Sequence, residues 1–167
     1  MQEPVSTLTN LAFILVGVIV FRRSWYVGIT TIVLGFASAG WHWTKHPGWQ
    51  SFDLIMMYFM LISLIDYSLG SENTKTAFFA GIAMTGVHFI LPSHVMVLII
   101  AAALLLALMQ HYPPGRIFII TAWFSIWIIT NIPYLHEWEV PFWIRDILHG
   151  ISHICASIGI YKTVMYR

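Results

Sequence analysis

The run FDLIMMYFMLISLIDYSL, residues 52–69, decides the fold class: its two carboxylates, Asp53 and Asp66, sit near its ends and everything between them is uncharged. A helix that crosses a bilayer needs about 20 predominantly apolar residues. Six further stretches have the same character, at 8–21, 26–44, 76–91, 95–110, 117–134 and 143–165. They are separated by charge or helix-breaking residues: Arg22-Arg23-Ser24, Lys45-His46-Pro47-Gly48, Gly70-Ser71-Glu72-Asn73, Pro92-Ser93, Pro113-Pro114-Gly115 and the segment from His136 to Pro141. Seven spans consume nearly the whole chain, so residues 1–167 are expected to form a single all-α domain, an integral membrane bundle of seven transmembrane helices.

Composition excludes the main alternatives. Of 167 residues, 59% are hydrophobic and only 9% charged, against roughly 25% charged in a soluble domain. A surface facing lipid needs no charged cover. With a net charge of +1 and no basic cluster, the chain lacks the electrostatic footprint of a nucleic-acid binder. A single cysteine, Cys155, rules out an internal disulfide framework and a cysteine-rich zinc finger. The first apolar stretch lacks a leading Lys or Arg and is followed by Arg22 and Arg23, so it reads as a retained helix rather than a signal peptide. With the amino terminus outside, Arg22, Arg23, Lys75, Arg116, Lys162 and Arg167 fall inside, and Lys45 and Arg145 outside. That bias favours an N-out, C-in topology.

Eight histidines remain in a chain that otherwise avoids polarity. Polar side chains inside a bundle persist with a partner or a role. Ser38 and His42 lie four apart on one helix face. Asp53 begins the next helix, a short turn from His42. Asp146, His149 and His153 form one stripe on the last helix. Alone, a His-x3-His pair is more often two satisfied interhelical histidines. With His42 at the same depth it becomes a three-histidine set, the ligand count of a catalytic zinc site with its fourth position open. Asp53 supplies a base beside it.

The run Glu3-Pro-Val-Ser-Thr-Leu-Thr-Asn10, then Ser38-x3-His42, Asp53 and His149-x3-His153 resemble the alkaline ceramidase family, part of a superfamily of seven-helix membrane hydrolases and receptors. The resemblance implies zinc bound by His42, His149 and His153, Asp53 holding and deprotonating the attacking water, and Ser38 stabilising the oxyanion. It implies hydrolysis of the amide bond of ceramide, with a related lipid amide or ester as plausible a substrate for so compact a relative, expected in a prokaryotic inner or plasma membrane. Only two residues precede Glu3, so the calcium site of the eukaryotic enzymes is expected to be absent, with Glu3 and Asn10 acting as polar anchors of the first helix. A receptor of the progestin or adiponectin type shares the same polar set. Such receptors usually carry a longer cytoplasmic amino terminus and the opposite charge bias. A metal transporter would need polar residues across the full membrane depth, and a retinal protein a mid-helix lysine; neither pattern is present.

The remaining polar residues have structural explanations. Asp146 is expected either to orient a ligand imidazole or to pair with Arg145. Asp66 reads as a helix-end residue, solvated or associated with Tyr67. His46, His94, His111 and His136 fall at helix ends, and His88 reads as a hydrogen-bonded interior residue. Trp25, Trp41, Trp43, Trp49, Trp138 and Trp143 cluster near the boundaries as an aromatic belt. Cys155 points away from the stripe of His153 and reads as a small buried thiol.

Overall fold

The computed structural model describes residues 2–71, 73–90 and 141–166, together with 99, 102 and 103. Apart from short turns and connections these residues are helical, with no strand among them. In chain order the helices are α1 (Pro4–Thr9), α2 (Leu11–Val20), α3 (Trp25–Thr44), α4 (Pro47–Leu69), α5 (Thr74–His88) and α6 (Phe142–Met165). All but three residues of the stretch expected at 95–110, the whole of 117–134, and His94, His111, His136 and Trp138 lie outside the described residues.

Local chemistry sets the boundaries. Ser24 caps α3 by accepting from the Val27 N–H. Lys45, with φ of 55°, turns the chain left-handed at the end of α3. His46 then caps α4, its Nδ1 accepting from the Gly48 N–H at 3.1 Å, and Pro47 occupies the first helical position, where a missing N–H costs nothing. That cap and proline start α4 five residues earlier than the apolar run. Gly70, with φ of 77°, ends it. The first apolar stretch is not one helix: the chain turns at Asn10, whose Nδ2 donates to the Ser6 carbonyl at 2.8 Å, and α1 begins ahead of the stretch, at Pro4.

α3 packs between α2 and α4, α5 lies on α4, and α1 rests mainly on α6 and α3. Phe13, Val20, Val27, Leu34, Tyr58, Leu61, Leu64, Ile160 and Val164 form the shared core. Two glycines allow α2 and α3 to touch. A Cβ on Gly17 would lie 2.6 Å from the Ile32 side chain, and one on Gly28 would lie 2.6 Å from the Phe21 backbone.

Polarity is distributed inside out. Asn10, Thr31, Ser38, His42, Ser63, Asp146, Ser152 and His153 are buried, whereas Leu8, Leu11, Leu15 and Val18 are exposed. On α6 the exposed positions Ile147, Ile151, Ile154 and Ile158 make an apolar stripe with helical spacing, opposite the buried Asp146 and His153. Among the described residues one helix, α4, is long and apolar enough to cross a membrane by length and composition. α3 and α6 have the length, but their inward faces carry hydroxyl, imidazole and charged groups.

Candidate metal centre

Three imidazoles meet where α3 and α6 face each other. His42, in the last turn of α3, lies with its ring centroid 4.6 Å from that of His149 and 5.2 Å from that of His153. His149 and His153, one turn apart on α6, have centroids 4.7 Å apart. One ligand nitrogen from each falls within 4.8 Å of the others, so the group could hold a metal ion. Zinc takes imidazole nitrogens at about 2.0–2.1 Å in a tetrahedral array, and a three-histidine set leaves one position open.

The surroundings of the rings fit such an ion. His42 Nδ1 is hydrogen-bonded to Glu3 Oε2 at 2.5 Å. His153 Nδ1 lies 3.1 Å from Thr9 Oγ1 and 3.2 Å from the Ser6 carbonyl, which can only accept. Both Nδ1 atoms are therefore engaged from outside the cluster, which leaves both Nε2 atoms as the free ligands. An imidazole whose far nitrogen donates to a carboxylate or carbonyl is oriented for metal binding and made more basic. Glu3 also pairs with Lys45 Nζ at 2.5 Å. Burial opposes the charge on Glu3, but His42 and Lys45 outweigh it and hold the carboxyl down at about 2.

These tethers hang from α1, and α1 is fixed by Asp146. Its carboxylate accepts from the Val5 N–H at 3.0 Å, the Ser6 N–H at 2.8 Å and the Ser6 hydroxyl at 2.6 Å. Asp146 thus caps a helix far away in sequence, rather than touching a ligand imidazole or pairing with Arg145, whose guanidinium lies over Phe142. Gly150 permits the approach, since a Cβ there would sit 2.9 Å from Val5 Cγ1.

Ser38, Asp53, His42, His149 and His153 line one cavity of about 80 Å³. That is room for several waters or a small polar group, taking about 10–15 Å³ per water. Ser38 and Asp53 reach this space from different helices, α3 and α4. Gln50 lines the same space, a residue the sequence pattern had not singled out, while Phe13, Leu34, Met57 and Met60 supply apolar wall. The five expected site residues thus share one cavity.

The other polar residues take structural places. His46 caps α4, and His88 is hydrogen-bonded to the Tyr58 hydroxyl at 3.0 Å. Asp66 accepts from the Ser71 hydroxyl at the end of α4. Cys155 packs against the apolar core, away from the imidazoles. Trp25, Trp43, Trp49 and Trp143 are exposed. The roles of Glu3, Thr9 and Ser6 at the imidazoles were hidden in sequence; the one signal was a run of hydroxyl-bearing residues, Ser6, Thr7 and Thr9, at the head of an apolar chain.

Comparison with family models, with curated proteins and with solved structures finds no match for this chain.

Proposed function

We propose that the chain is a multi-pass membrane hydrolase that uses zinc to cleave the amide bond of ceramide or a related lipid, with its amino terminus outside and its carboxyl terminus inside. One observation carries the reading: three imidazoles, two with their Nδ1 atoms already engaged, share a cavity with a serine and an aspartate. His42, His149 and His153 would hold the ion through their nitrogens. Zinc, when bound, supplies Lewis acidity, drawing electron density from a carbonyl and making water easier to deprotonate.

The remaining work belongs to the chain. Asp53 accepts the proton of the attacking water and can return it to the departing amine. Ser38 donates its hydroxyl to the oxygen on which charge develops. Phe13, Leu34, Met57 and Met60 give the cavity an apolar wall suited to the start of an acyl chain and restrict water. The multi-pass reading is supported by the outward apolar stripe of α6 and the exposed face of α2, since buried polar and exposed apolar side chains suit a bilayer.

The test combines metal analysis of the purified protein with lipid amidase assays on His149→Ala and Asp53→Ala. The reading expects zinc to be lost from the first, and retained by the second while turnover collapses. Undiminished zinc and hydrolysis in His149→Ala would sink the metal role.

A further inference from the structure

A second cavity, of about 110 Å³, lies at the opposite end of α3 and α4, lined by Arg23, Ser24, Tyr26, Ser63, Asp66 and Tyr67 among others. It is remote from the imidazoles: α3 runs from Ser24 at this end to His42 at the other. The Tyr26 side chain lines it, is only 8% exposed, and leaves its hydroxyl with no hydrogen-bond partner. A buried phenol without a partner is costly, roughly 1–3 kcal/mol, and calls for an explanation. Its neighbours Thr30 and Ser63 satisfy one another at 3.2 Å and so do not supply a partner.

The charges around the cavity are equally telling. Arg23 and Asp66 both line it, yet no ion pair joins them among the described residues. Ser24 caps α3 here, so the positive end of a twenty-residue helix lies at the cavity's edge. A simple anion would meet the Asp66 carboxylate, and a simple cation would meet Arg23 and the helix terminus. A ligand carrying both charges answers each. An anionic phosphate would accept from Arg23 and from the Tyr26 hydroxyl, while an ammonium would donate to Asp66. A primary ammonium suits that role better than a quaternary one, which has no N–H to give.

From this we infer that the cavity binds a phosphoethanolamine group. That chemistry can arrive as the headgroup of phosphatidylethanolamine or as a free phosphomonoester of ethanolamine. The inference does not depend on the metal centre. Its lipid form rests on the membrane reading, under which Arg22, Arg23, Lys75 and Lys162 put this end on the inner side.

The experiment measures lipid retention by native mass spectrometry on the full chain in micelles doped equally with phosphatidylethanolamine, phosphatidylcholine and phosphatidylglycerol. The wild type is expected to retain phosphatidylethanolamine several-fold over the other two. Tyr26→Phe, which removes a single hydroxyl, should weaken that retention about tenfold, the loss of one hydrogen bond to a charged group. Asp66→Asn should abolish the preference over phosphatidylglycerol. Free O-phosphoethanolamine, added at millimolar concentration, should raise the melting temperature of the wild type but not of Tyr26→Phe if the solute is the ligand; protection by the lipid alone identifies the headgroup. His149→Ala should retain phosphatidylethanolamine normally, which separates this site from the metal centre. Equal retention of the three lipids by the wild type with no protection by the solute, or ethanolamine binding untouched in Tyr26→Phe, overturns the inference.

Discussion

Asp146→Ala tests the chain of support behind the candidate metal centre without touching any of its three imidazoles. The substitution removes the acceptor from the Val5 and Ser6 N–H groups, whereas the Ser6 hydroxyl keeps the Asp146 carbonyl at 3.1 Å. Two donors are therefore left unpartnered, one of them buried. The buried Ser6 donor costs about 1–3 kcal/mol and the bond lost at the more exposed Val5 about 0.5–1.5 kcal/mol, so the loss of stability comes to about 1.5–4.5 kcal/mol. The effect should reach further than stability. Once α1 loosens, the Ser6 carbonyl and Thr9 hydroxyl drift from His153 and Glu3 drifts from His42, and loss of such outer partners typically weakens metal binding 10- to 100-fold. Thermal unfolding in detergent measures the first effect, and zinc competition against a chromophoric chelator the second. Ser157→Ala is the control: among the described residues its hydroxyl bonds only to the His153 carbonyl one turn back, and zinc affinity should hold. If Asp146→Ala destabilised the fold yet bound zinc as tightly as the wild type, the proposed coupling of α1 to the imidazoles would be wrong.

Three further outcomes follow from the same geometry. Glu3 has its carboxyl held at about 2 against an ordinary value of 4.5, so its contribution is fully present above pH 4.5 and is lost as pH falls through 2; Glu3→Gln should melt lower at pH 7 and lose less between pH 4.5 and 2, and parallel pH curves for variant and wild type would remove Glu3 from the account. Gly28→Ala should cost about 1–3 kcal/mol in chemical unfolding, because its Cβ would meet the Phe21 backbone, which cannot yield as a side-chain tip can; an unchanged midpoint would show that α2 and α3 are less tightly apposed. Stripping metal with a chelator should lower the melting temperature, since an ion present at a thousand times its Kd contributes about 4 kcal/mol, and His149→Ala should be insensitive to the same treatment.

Local spacing made much of this legible in the sequence. His149 and His153 are a turn apart, and Ser38 and His42 likewise, so each pair could be placed on one face without knowing any tertiary contact. The helix limits of α3 and α6 followed the apolar runs closely because charge or proline bounds each run. The contacts that orient the imidazoles were not legible: Glu3 meets His42 across 39 residues and Asp146 meets Ser6 across 140, separations that leave no periodic trace. Hydropathy alone was also misleading about individual helices, since α3 and α6 dilute their apolar faces with the polar groups that build the site. The turn at Asn10 leaves no mark in the sequence, because an asparagine within an apolar stretch does not by itself break a helix.

The imidazole cluster joins segments far apart in the chain. Its outer supports, Glu3, Ser6 and Thr9, are synthesised well before His149, His153 and the capping Asp146. During synthesis the early helices therefore hold His42 without the other two imidazoles, until α6 arrives carrying both together with the anchor. A nascent chain stalled before α6 thus lacks the three-imidazole cluster altogether.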